Sequence, residues 1–184
     1  AAWSQTKETR AVIAKMVGGL DGLPLAIELA AGRARLLSPE QLLERRAQPL
    51  RLLRGGRRDG TGRQATLRGM IEWSWELLEE WEKAALTQLS VFEGGFFMEA
   101  AEAVLDLSSW TEAPWSLDVV GSLFDKSLLR CWDVAGRPRF GMYVSVRDYA
   151  AGKLSASPAL GGIALTSRHA SYYARFGDDD FRES

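Results

Sequence analysis

"LLRCWDVAGRPRFGMYVSV", residues 128–146, is where the spacing of apolar residues changes period. Before Ser127 they recur every three or four positions, whereas "LLRCWDV" and "RFGMYVSV" carry the aromatic and β-branched residues that favour strands. Between them "AGRP" holds Gly136 and Pro138, both turn formers, so the stretch predicts a β-hairpin. The segment before it, roughly Leu117 to Leu129, spaces Val119, Val120, Leu123, Phe124 and Leu128 at helical intervals. Helices followed by a small hairpin describe a winged helix, in a chain that is otherwise mainly α.

Upstream, Leu67 to Leu78 reads as an amphipathic helix with Leu67, Met70, Ile71, Ser74, Leu77 and Leu78 on one face and Arg68, Glu72 and Glu76 off it. Glu79 to Leu89 offers Trp81, Ala85, Leu86 and Leu89 to the same core. In "SVFEGGFF", Gly94 and Gly95 allow a tight turn, which Phe96 and Phe97 anchor in the core. An exposed Phe97 would instead mark a contact with another domain. Met98 to Leu105 is a short helix of Ala100, Ala101, Ala103 and Val104, and downstream "VRDYAAGKL" and "SRHASYYARF" return to helix across "SASPALGG". No unit occurs twice, so a repeat array is not expected within this sequence.

Toward the N-terminus, Val12, Ile13, Met16, Val17 and Leu20 recur at helical spacing, and this first helix is expected to end near Asp21 and Gly22. Pro24 then stands at the first position of a second helix, with Leu25, Ile27, Leu29, Ala30 and Ala31 largely buried and its own ring packed in the core. A third helix begins at "LSPEQLLERR", where Ser38 is a natural N-cap, Pro39 takes the first helical position and Gln41 completes a capping box. "RLLRGGRRDGTGRQ" reads as a flexible connection, and the main boundary is placed there, after residue 62.

The 184 residues are 46% hydrophobic, enough to fill real cores. No apolar run reaches the roughly 18 residues a membrane helix needs, and "AAWSQTKETR" has no signal-peptide pattern, so a cytoplasmic protein without membrane contact is expected. Cys131 and His169 each stand alone, so no disulfide, zinc cluster or redox pair is expected. The net charge of −1 hides an asymmetry: residues 45–68 hold eight arginines against one acid, Asp59, and Glu72, Glu76, Glu79, Glu80 and Glu82 follow directly. Internal pairing with a solvated linker suits this pattern better than nucleic acid, and a single RGG without interleaved aromatics does not indicate RNA binding.

"LDGLPLAIELAAGRARLLSPEQL", "RQATLRGMIEWSWELL", "LSVFEGGF", "AAEAV", "LFDKSLL" and "VRDYA" follow one another in an order that resembles the STAND class of signal-transduction ATPases. The closer resemblance is to the NB-ARC-type ATPases attached to bacterial LuxR-like and SARP-like transcriptional regulators, and it covers roughly Thr9 to Leu154. It implies a helical subdomain with the GLPL motif over residues 1–62, a winged helix over 63–154, and over 155–184 a linker with "HASYYARF" leading toward helical repeats. It also implies an excised middle portion whose partners are an absent P-loop domain and C-terminal repeats, with ADP or ATP and Mg bound by the full-length parent and self-association of that parent. No G-x-x-x-x-G-K-[ST] occurs, and "GGRRDGTGR" lacks its spacing and ending, so this chain by itself is expected to be neither an ATPase nor another enzyme.

By the same resemblance Leu23, Pro24 and Leu25 form the adenine side of a nucleotide pocket, and Tyr143 takes the nucleotide-sensing position where the family has a histidine. With Met142 and Val144 beside it, this position offers one hydrogen bond but no switchable charge. Arg147 is the nearest retained cation at this position, and its structural alternative is a salt bridge with Asp148 or with another helix. Trp73, Trp75 and Trp81 suit a core or subdomain interface better than base stacking. Two functions follow: a relay that moves with nucleotide exchange, or a DNA-binding winged helix. "LDVVGSLFDKSLLR" sets only Lys126 and Arg130 against Asp118 and Asp125, too neutral to track phosphates, so the relay is favoured and DNA binding by this chain is not expected.

Overall fold

The computed structural model describes residues 6–18, 23–33, 38, 41, 60–156 and 162–175. Most of the expected flexible connection, residues 51–59, and the expected helix end at Asp21 and Gly22 lie outside them. Among the described residues are helices α1 (Lys7–Gly18), α2 (Pro24–Gly32), α3 (Gly60–Glu76), α4 (Glu80–Leu89), α5 (Met98–Val104), α6 (Ser116–Asp125), α7 (Val144–Ala156) and α8 (Gly162–Ala174), with one hairpin of β1 (Arg130–Val134) and β2 (Arg137–Gly141). The chain is therefore mainly helical with a small antiparallel hairpin, as its sequence predicts.

Residues 1–78 group as one unit and 79–184 as another. In the first, Leu23 is extended (φ −70°, ψ 118°) and Pro24 takes the first helical position, where its fixed φ suits the helix and its missing N–H leaves nothing unsatisfied. Ala26, Leu29 and Ala30 are buried, and α2 packs on α3. Arg33 closes α2 with a side chain only 1% exposed, and its Nη2 donates to the Ser74 carbonyl at 3.1 Å. The capping box forms as expected: Ser38 N–H donates to Gln41 Oε1 at 3.0 Å, and Gln41 N–H to Ser38 Oγ at 3.2 Å.

Helix α3 starts at Gly60 rather than Leu67, so Gly60 and Gly62 belong to a helix and not to a linker. The first-turn N–H groups of a helix have no intrahelical partner, and two glycines there cost no more than their propensity, about 1 kcal/mol each. Met70, Ile71, Ser74 and Leu78 are buried, Arg68, Glu72 and Glu76 are exposed, and Leu77 is on the exposed side despite its expected place on the apolar face. The two units divide after Leu78, so α3 groups with α1 and α2. The described part of 155–184, including α8, groups with the hairpin.

In the second unit α4 buries Ala84, Ala85, Leu86 and Leu89, α5 buries Ala100, Ala101 and Val104, and α6 buries Val119, Val120 and Leu123. Helix α6 ends at Asp125: Ser127 turns to φ 59°, and the N–H groups of Leu128 and Leu129 fold back to the Leu123 carbonyl. The hairpin closes through Ala135 (φ 53°) and Gly136 (φ 79°), with Val134 opposite Arg137. Two positive φ angles in a two-residue loop make a type I′ turn, the form that matches strand twist. Alanine in that conformation is strained, so Ala135→Asn is expected to raise stability by about 1 kcal/mol, measured as a higher urea midpoint with an unchanged slope.

Pro138 lies opposite Asp133, inside β2 and not in the turn. The bonded and non-bonded pairs alternate from Val134–Arg137 outward, so the missing N–H of Pro138 belongs to the side of β2 away from β1. On that side Phe140 exchanges two hydrogen bonds with Phe96, 2.7 and 2.8 Å, adding one rung of a third strand. Beyond Gly141 no cross-strand partner continues, and the Tyr143 carbonyl accepts from the N–H groups of Val146 and Arg147. The expected strand over "MYVSV" is therefore replaced by the start of α7, which buries Val146 and Ala150.

Helix α8 packs on α5. Arg168 fastens it: Nε donates to the Val104 carbonyl at 2.7 Å, Nη2 to Gln88 Oε1 at 3.1 Å, and Nη1 lies 3.7 Å from Asp106. Gln88 in turn exchanges two hydrogen bonds with the Asp106 backbone, 2.8 and 2.9 Å. His169, Phe92 and Tyr173 form a three-ring cluster, with His169 5.1 Å from Phe92 and 4.9 Å from Tyr173, and Phe92 6.3 Å from Tyr173.

Candidate functional site

The residues that the sequence singles out fall in both units. In the first, the helix start exposes the Pro24 ring and leaves Leu23 and Leu25 half-buried, while the next turns of α2 bury Ala26, Leu29 and Ala30. This corrects the expectation that the proline ring packs in the core. Pro24 starts the helix through its backbone geometry, and its ring remains available as a small apolar shelf.

In the second unit Tyr143 links the hairpin to α7. Its carbonyl caps α7, and its half-buried ring lies 5.4 Å from the Arg130 guanidinium, which also covers Trp132 at 5.0 Å. Cross-strand pairing puts Arg130, Trp132, Arg137 and Arg139 on one face of the hairpin. Phe97, half-buried, lies beneath Arg137 and Arg139 at 4.5 and 5.3 Å; Arg137 also pairs with Glu99 at 2.6 Å. The cation over Tyr143 is thus Arg130 of β1, while Arg147 reaches Asp148 at 3.7 Å. The alternation of Arg130 and Trp132 in β1 is the signal that could have found it.

Trp132 sits in a cradle of two glycines. A Cβ on Gly95, which holds φ +83°, would stand 2.5 Å from the Phe140 oxygen and 2.7 Å from the indole, and one on Gly141 would stand 2.8 Å from the indole. Gly95 therefore does more than permit a turn, since the backbone must pass within contact of the ring.

Glu82 is the second feature the sequence did not mark. It stands in the acidic run after the arginines, and it is only 3% exposed. Its place in the stripe Leu78, Glu82, Ala85, Leu86 and Leu89 was the available signal. Lys126 Nζ contacts its Oε1, Ser122 Oγ donates to the same oxygen at 2.6 Å, and the Glu79 N–H donates to Oε2 at 2.9 Å. Burial alone raises this carboxyl, but the hydrogen bonds from Lys126, Ser122 and Glu79, with the Lys126 charge, outweigh it and hold the group below its ordinary 4.5.

The pair also fixes what α6 shows to solvent. Its cation is turned inward, and the outward residues are Leu117, Asp118, Gly121, Phe124 and Asp125, preceded by Trp115. Among the described residues no helix is long and apolar enough to cross a membrane, and no group of three or more histidine, cysteine or carboxylate side chains could hold a metal.

No protein-family model and no solved structure matches the chain. It is 41% identical over 164 residues, 89% of its length, to proteins of Mycobacterium bovis and Mycobacterium tuberculosis, each named "Putative HTH-type transcriptional regulator". It is 36% identical over 150 residues to an uncharacterized protein of Mycobacterium tuberculosis. The chain spans 18% of the length of the regulators and 38% of the uncharacterized protein. Along most of its own length, then, this chain is related to one segment of much longer proteins named as transcriptional regulators.

Proposed function

We propose that this chain is the regulatory, non-catalytic part of a nucleotide-dependent switch in a transcriptional regulator. The observation that carries this reading over direct DNA binding is the orientation of Lys126. A helix that tracks phosphates must present cations, whereas here the cation closing α6 is spent on buried Glu82 and the outward face is apolar and acidic. The regulator names of the relatives fit the setting. The exposed Pro24 ring between Leu23 and Leu25 fits the flat apolar face of a purine, because it is open to a partner and has no N–H to satisfy.

In this reading ADP or ATP, with Mg, is bound mainly by a P-loop domain in the full-length parent, and that domain supplies any hydrolysis. Leu23, Pro24 and Leu25 cover the adenine, and Tyr143 stands at the sensing position, with Arg130 as its neighbouring charge. A nucleotide touching both partners stabilises whichever arrangement it binds better, and that difference is the whole driving force of the relay. In the full-length protein Pro24→Ser is expected to weaken ADP about tenfold, equal to about 1.4 kcal/mol, by titration calorimetry. Unchanged affinity removes Pro24 from the pocket.

One observation favours the second reading, a DNA-binding winged helix: Arg130, Arg137 and Arg139 share a face of the hairpin, where a wing meets the duplex. A mobility-shift assay with the 184-residue chain at low salt separates the two. No sequence-selective complex is expected, and a selective complex lost in the R130A/R137A variant would replace the relay with the wing.

A further inference from the structure

The hairpin has two edges, and the structure closes one of them. On β2 the outward side carries the rung between Phe96 and Phe140, and Pro138 has no N–H to offer there. On β1 the bonded pairs are Val134–Arg137, Trp132–Arg139 and Arg130–Gly141, so the N–H and carbonyl groups of Cys131 and Asp133 point away from β2. Both residues are exposed, and among the described residues no backbone hydrogen bond reaches either from that side. Unpaired donors and acceptors along a strand edge are a template for one more strand.

Charge selects the strand that fits. Arg130 stands on one face of β1 with Trp132 and Val134, and Asp133 on the other with Cys131. Among the described residues the Arg130 guanidinium rests on the Trp132 and Tyr143 rings and meets no carboxylate, while Asp133 accepts from the Gly136 N–H and meets no cation. The rings hold the cation in place without neutralising it. The same strand laid antiparallel keeps Arg130 and Asp133 on opposite faces, so a second copy supplies neither with its partner. A nucleic acid has phosphates for Arg130, but it has no strand to continue the ladder and is repelled by Asp133. We infer that the open edge of β1 accepts an extended peptide segment of a partner protein as an added antiparallel strand, with an acidic side chain opposite Arg130 and a basic one opposite Asp133. Antiparallel pairing is the more stable ladder, and it sets the order along the partner as base, two residues, acid. The inference uses neither Pro24 nor a nucleotide, so it stands or falls apart from the proposed function.

The test is a titration of the isotope-labelled 184-residue chain with the end-blocked peptide Ser-Val-Lys-Val-Thr-Glu-Ser and with its reordered form Ser-Val-Glu-Val-Thr-Lys-Ser, equal in composition and net charge. The first peptide is expected to slow hydrogen exchange at the Cys131 and Asp133 amides, to leave that of Trp132 unchanged because it already bonds to β2, and to bind about tenfold tighter than the second. N-methylating its threonine, which lies opposite Cys131, removes one rung without altering the protein and should weaken binding about fivefold. R130E/D133K should reverse the preference between the two peptides, with an unchanged melting curve because both sites are exposed. Equal binding of the two peptides, unchanged exchange at Cys131 and Asp133 at saturation, an N-methylated peptide that binds as well, or protection of the same two amides by self-association or by an oligonucleotide in the peptide's place would each overturn the inference. Failure of the Pro24 experiment with success here would remove the nucleotide reading alone.

Discussion

Gly95→Ala is expected to destabilise the hairpin-bearing unit by about 2–5 kcal/mol, the sum of a left-handed backbone unsuited to alanine and an overpacked contact. The two contributions are separable. At Gly95 the new Cβ meets the Phe140 oxygen at 2.5 Å as well as the Trp132 ring, and that oxygen belongs to the backbone rung between Phe96 and Phe140. At Gly141 the nearest atoms are those of the Trp132 ring, at 2.8 and 3.1 Å. Trp132→Leu should therefore restore much of the stability lost in Gly141→Ala and little of that lost in Gly95→Ala. Urea unfolding of the two single and two double variants measures this, and equal rescue at both glycines would contradict the cradle.

Lys126→Met is expected to cost about 3 kcal/mol at pH 7, because it leaves a carboxylate uncompensated in a buried position. The pH dependence carries the sign. In the wild-type chain the folded Glu82 lies below its unfolded value near 4.5, so its contribution is complete above that value and is lost as pH falls through the folded one. Without Lys126 burial dominates and raises the folded value, so the variant loses stability as pH rises from the unfolded value through the folded one. The difference between the two proteins should shrink steadily on acidification toward pH 4, and Glu82→Gln in the Lys126→Met background should recover part of the loss at pH 7 alone. A difference constant with pH would mean that Lys126 acts through packing of its aliphatic stem.

Local signals carried the elements well. Pro24, the Ser38 and Gln41 box, and the "AGRP" hairpin each announce themselves through backbone chemistry confined to a few residues, and the structure reproduces them. The flexible connection is read from Gly55, Gly56, Gly60 and Gly62 with interleaved arginines, and of these glycines Gly60 and Gly62 lie in α3. Valine-rich "YVSV" has strand propensity, but a strand requires a partner, and the register of β1 leaves none beyond Gly141. Of the candidate site, the residue types at 23–25 and 143 were legible through resemblance, whereas the exposure of Pro24 and the stacking of Arg130 depend on contacts made far along the chain. Lys126 and Glu82, 44 residues apart, are the extreme case: each looks like an ordinary surface charge until the fold brings them together.

The anchoring of α8 has a mechanical consequence. One guanidinium ties this helix to the end of α5, to α4 through Gln88 and to the segment after α5 through Asp106, so a pull along α8 is shared among three points in shear instead of peeling one contact after another. Motion of α8 is thereby motion of the body that carries the hairpin, and α8 acts as a stiff handle on it.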